Sequence, residues 1–144
     1  MSTISQDPLL KNSVLESLIT IESIFVMLTS ILGAILMIAG LDSNLSTSLL
    51  SGTPFTDFFI PGILLLIIVG STSTLSSIAY IKNITPSKTI FGMITGLVLS
   101  IWISIEVLVL NQPAPTLIEG IYFFLGISMI ILSYYLKNSL AKQN

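Results

Sequence analysis

Three carboxylates, Asp57, Glu106 and Glu119, stand near the ends of long apolar stretches, where an ionisable side chain is costly and marks a candidate site. Two or three carboxylates brought together can share a proton, bind a cation, or accept a partner's Arg or Lys. Trp102 precedes Glu106 by one helical turn and Tyr122 follows Glu119 at i+3, so each glutamate has an aromatic companion on its own face. These five residues are the candidate partner- or cation-binding set. Glu22 falls roughly one turn into the first apolar stretch, where its side chain can snorkel to water. Each acid also has a structural reading. Thr116-Leu-Ile-Glu119 fits the capping box of a helix start, and Asp57 can cap a helix that tolerates Pro61 in its first turn. Glu106 beside Trp102 fits an interfacial belt.

The chain of 144 residues contains no Cys, His or Arg, and its charges are five Lys, three Asp and four Glu. Those absences exclude disulfides, thiolate chemistry, His-ligated metal or haem, imidazole bases and guanidinium phosphate clamps. No metal site and no cofactor are expected, and nucleic acid is not a partner. An enzyme is the least favoured reading, because carboxylates alone would have to serve as base and nucleophile.

The elements that must position these residues are membrane helices. The chain is 53% hydrophobic and only 8% charged, whereas a water-soluble domain has about a quarter of its residues charged. Apolar stretches of the roughly 20 residues needed to cross a bilayer run over 18–40, 60–81, 90–110 and 117–136. Lipid cannot satisfy an open backbone, so these are helices. The expected fold is all-α: one integral membrane domain, an antiparallel four-helix bundle. Lys11, Lys82, Lys88, Lys137 and Lys142 all fall on one side of the spans, which places both termini in the cytoplasm. The first span lacks the basic start of a cleavable leader and is expected to be retained. Asp7-Pro8 reads as an N-cap and first helical residue ahead of it. Leu45, Leu49 and Leu50 suggest a short interfacial helix in the first outer loop.

Membrane bundles pack through small residues. Gly92, Gly96, Ser100 and Ser104 recur at i+4 steps in the third span. In the second, Gly70, Ser73, Thr74 and Ser77 share a face, and the hydroxyls of this segment are expected to bond preceding-turn carbonyls or neighbouring helices. The other reading is a polar groove.

The segment Ser51-Gly-Thr-Pro-Phe-Thr-Asp-Phe-Phe-Ile-Pro-Gly62, followed by Trp102-Ile-Ser-Ile-Glu-Val107 and Ile121-Tyr-Phe-Phe-Leu-Gly126, resembles a family of small four-helix membrane proteins of bacteria and archaea that has no established activity. The resemblance spans roughly residues 40 to 130. It puts Pro54, Phe55, Asp57, Pro61, Gly62, Trp102, Glu106 and Tyr122 on the family's motif positions. Members often carry Gln where this chain has Glu119, which puts in doubt any role needing a neutral amide there.

Two functions from different classes follow. The favoured one is a non-enzymatic accessory or self-associating subunit whose outer acidic and aromatic patch engages a membrane-protein partner or a second copy. The alternative is an oligomeric proton- or cation-coupled carrier using Glu106. A lipid or quinone bound against Trp102 and Tyr122 is compatible with either.

Overall fold

A computed structural model describes residues 8–42 and 45–143; Asp7, expected as an N-cap, lies outside the described residues. Four helices are each long and apolar enough to cross a membrane: α1 (Pro8–Ala39), α2 (Phe59–Ile81), α3 (Ser87–Val109) and α4 (Leu117–Ala141). No strand occurs among the described residues.

The ends of the helices follow from local chemistry. Pro8 opens α1, where its missing N–H costs nothing. The helix stops at Gly40, whose φ of +65° lets Leu41 N–H return to the Leu36 carbonyl at 2.9 Å, a glycine C-terminal motif. Asp57 is not the N-cap of α2: that position is Phe58, which makes no side-chain cap, and Asp57 Oδ1 accepts from Phe59 N–H at 2.9 Å from one residue ahead of it. The capping box of α4 is complete: Thr116 Oγ1 accepts from Glu119 N–H at 3.2 Å, and Glu119 Oε2 accepts from Thr116 N–H at 2.5 Å. Between α1 and α2 the interfacial helix is reduced to a single 3-10 turn, Thr47–Leu50, capped by Ser46. Its Leu49 carbonyl accepts from Asn111 N–H at 2.8 Å, which ties the first loop to the α3–α4 turn.

Helix α1 starts at Pro8, as expected from the proline, ten residues ahead of Leu18, where the apolar stretch begins. Most of residues 9–17 are exposed, Leu9, Leu10 and Val14 among them, whereas Asn12 is buried against the bundle. Glu22 is therefore almost four turns into the helix, about 21 Å from Pro8 at 1.5 Å per residue.

Helix α2 contains a π turn at Leu66–Gly70, where Ser71 N–H reaches back five residues to the Leu66 carbonyl. A π turn displaces the regular pairing of donors and acceptors, and the hydroxyl run that follows supplies extra donors. Thr72 Oγ1 donates to the Ile68 carbonyl at 2.9 Å, Ser73 Oγ to Val69 at 2.7 Å and Thr74 Oγ1 to Gly70 at 2.7 Å; Ser71 Oγ donates to Ile67. From the neighbouring helix, Thr95 Oγ1 donates to the Thr72 carbonyl at 2.9 Å. This segment's hydroxyls serve the backbone and inter-helix contacts, including Ser76 Oγ to Ser23 Oγ at 2.9 Å.

Each helix packs on the next in the chain and α1 closes the ring against α4; the α1–α2 and α3–α4 seams are the extensive ones, and the second is the tighter. Its tightness comes from small residues. A Cβ at Gly96 would stand 2.5 Å from the Gly126 carbonyl oxygen, and one at Gly126 would stand 2.8 Å from that of Gly96 and collide with Ser100 Oγ. Gly92 faces Tyr80 and Ser133 just as closely. Ser104 instead bonds its own helix at the Ser100 carbonyl. Gly70 is not a close-approach residue, since a Cβ there would meet Leu66 at 3.5 Å and Ser30 at 3.7 Å, which is ordinary contact. The tight approach between α1 and α2 is at Gly62, where a Cβ would lie 2.9 Å from Met37. Two apolar clusters fill the interior. Val26, Val69, Leu99, Ile103 and Met129 form the larger, and Ile19, Tyr80 and Leu136 the smaller, nearer the lysine end.

Candidate functional site

At the acidic end of the bundle the four helices and the first loop surround a recess of about 410 Å³. Its floor is apolar, with Val26, Val69 and Leu99, and its polar wall comprises Glu106, Trp102, Glu119, Tyr122 and Asp42. Glu106 and Glu119 thus face one cavity, close enough for their charges to interact, with the Trp102 side chain beside Glu106. Helix α3 presents Trp102 and Glu106 one turn apart, and α4 presents Glu119 and Tyr122 from its first two turns. Tyr122 is held by stacking on Phe25 of α1, ring centroids 6.1 Å apart and planes 21° from parallel.

The two glutamates are not equivalent. Glu119 is buried and its oxygens are engaged: Oε2 accepts from Thr116 N–H and from Thr116 Oγ1 at 3.0 Å, and Oε1 accepts from Gln112 Nε2 at 2.9 Å. It closes the helix end and orients the turn. Glu106 lies at the last turn of α3 and also lines a second hollow, an apolar groove of about 430 Å³ along α2 and α3 with Phe55, Phe58, Pro61 and Ile101. Trp102 and Glu106, with Met37 and Leu110, therefore form the partition between the recess and the groove.

Asp57 is not brought into this group. It is exposed, accepts from Phe59 N–H at the start of α2, and borders a separate hollow together with Asp42. Asp42 of the first loop lines both that hollow and the recess, together with Met37 and Leu45. No lysine lines the recess. Among the described residues no group of three His, Cys, Asp or Glu side chains could hold a metal ion.

Sequence reasoning also missed two polar sites away from the recess. Lys88, expected to bracket a cytoplasmic turn, is 2% exposed; its Nζ donates to Glu16 Oε1 at 2.7 Å and to Asn83 Oδ1 at 2.5 Å. Asn83 adopts a left-handed φ of 52°, a conformation that Asn tolerates best among non-glycine residues. Glu22 lies between α1 and α4, where Ser128 Oγ donates to its Oε1 at 2.6 Å. Neither pairing has a local spacing that a sequence could display. No family model, no functionally described protein and no solved structure matches this chain.

Proposed function

We propose that this chain is a non-enzymatic, antiparallel four-span membrane protein with both termini cytoplasmic, whose outer recess receives a cationic side chain of a membrane-protein partner or a second copy. The observation that carries this reading is the division of labour in the recess: Glu119 is consumed by its cap, whereas Glu106 stands at the partition beside Trp102 with no lysine lining the space. A Lys or Arg brings an apolar stem for the floor and a charge for Glu106, and the Trp102 and Tyr122 rings offer faces that attract a cation.

Co-purification from native membranes in mild detergent tests this proposal. A defined partner or homo-oligomer is expected with the native chain, and Glu106→Gln should weaken its recovery by about tenfold or more, the effect of losing one charge-assisted hydrogen bond. A clean monomer from native membranes would refute it, and equal recovery with Glu106→Gln would remove Glu106 from the contact.

A carrier is the second reading, favoured by one observation: Trp102 and Glu106 border both the recess and the apolar groove, so a cationic amphiphile could pass between them. Flux into liposomes that is equal for the native chain and Glu106→Gln would exclude it.

A further inference from the structure

Glu22 belongs neither to the recess wall nor to the Glu16–Lys88 pair. Its Oε1 accepts from Ser128 Oγ, and its Oε2 is buried with no hydrogen-bond partner. The depth of this contact follows from α4. Ser128 is nine residues from Glu119 and nine from Lys137, about 13.5 Å either way along the axis, which is the middle of a hydrocarbon layer roughly 30 Å thick.

The surroundings hold no counter-charge. On α1 the neighbouring ionisable groups are Glu16, which pairs with Lys88, and Lys11, eleven residues away. From α4 come Glu119, engaged in its cap, and Lys137. From α2 come Tyr80, whose hydroxyl bonds Ser133, and Lys82 beyond the helix end. Helix α3, which barely touches α1, carries only Lys88 and Glu106. A carboxylate without a cation at mid-depth is strongly disfavoured, so its charge must be cancelled by a proton or a bound metal cation. A hard cation takes about six oxygen ligands. Here the ligands would be one carboxyl and one hydroxyl that already donates its hydrogen to Oε1.

The recess lies on the same face of α1. Glu22, Val26, Thr29 and Gly33 follow one another at steps of four, three and four residues, which is one face of a helix. Val26, Thr29 and Gly33 all line the recess. Glu22 lies one turn below Val26 on that face, about 6 Å beneath the recess floor.

We propose that the Glu22 carboxyl is a reversible proton-binding site at mid-depth in the bundle: Ser128 holds Oε1, Oε2 carries the proton, and the proton comes from and returns to water through the recess. The site stands on its own geometry and holds whether or not Glu106 receives a partner's cation.

The full chain in phosphatidylcholine vesicles, treated with a hydrophobic carbodiimide, tests this. The reagent adds to a carboxylic acid and not to a carboxylate, and peptide mass spectrometry locates the adduct. An adduct at Glu22 is expected, absent in Glu22→Gln. Its yield should fall as the pH is raised, by up to about tenfold per pH unit, recover when the pH is lowered again, and be indifferent to excess Na⁺ or K⁺. The wild-type pH series decides the matter even if Glu22→Gln folds poorly. No adduct at Glu22 at any pH, a yield that ignores pH, or protection by Na⁺ or K⁺ would each overturn the proposal, the last in favour of a cation site.

Discussion

Glu119 and Glu106 face one recess, yet substitution should separate them. Removing the Glu119 carboxylate takes acceptors from Thr116 N–H and Gln112 Nε2, so Glu119→Ala is expected to cost about 1–2 kcal/mol. Glu119→Gln, which keeps one acceptor oxygen, should cost less. Glu106→Gln should leave stability within about 0.5 kcal/mol and act on binding alone. Unfolding followed in detergent distinguishes the three; a Glu106→Gln loss as large as that of Glu119→Ala would make Glu106 a structural residue. The pair Glu16–Lys88 is a sharper case. Lys88→Met leaves the Glu16 carboxylate, a third exposed, without its cation and should cost about 1–3 kcal/mol, whereas adding Glu16→Leu should restore most of it. If the double variant is as unstable as the single, the loss comes from packing and not from charge. The Glu119 cap was legible because its partners lie three residues apart. The Lys88 contact was not, because its partner is 72 residues away and nothing in the local spacing marks it.

The seam between α3 and α4 is set by backbone approach rather than by side-chain volume. Gly96→Ala must push against the Gly126 carbonyl and is expected to cost about 1–3 kcal/mol by overpacking. Gly120, where a Cβ meets nothing within 4 Å, is the matched control: Gly120→Ala should stabilise α4 by about 0.5–1 kcal/mol. Equal effects at the two positions, measured by thermal unfolding, would mean that helix propensity and not the seam governs both. The i+4 stripe announced Gly92, Gly96 and Ser100, since small residues on one face have few other uses in lipid. It gave no warning of Gly62, a single glycine whose partner residues on α1 carry no pattern. The π turn was equally hidden, because Leu66-Ile-Ile-Val-Gly70 is as compatible with a regular helix; only the hydroxyls after it hint at carbonyls in need of donors.

On the scale of the whole molecule, four apolar stretches and short connections were enough to reveal the helices and their neighbours. The recess was not readable, because it arises where the first loop and the α3–α4 turn are pinned together through Leu49 and Asn111. Orientation can be tested cleanly because the chain has no native cysteine. Ser51→Cys should react with an impermeant maleimide on intact cells, and Lys82→Cys only after permeabilisation; the opposite pattern would invert the proposed topology. The ion pair at the lysine end bears on how the protein is made. Glu16 emerges from the ribosome 72 residues ahead of Lys88, so during synthesis the first helix carries an acid whose cation has not yet been translated. A nascent chain ending after α2 leaves that acid without Lys88, and α1 completes its contacts only once α4, which carries Ser128, has also been made.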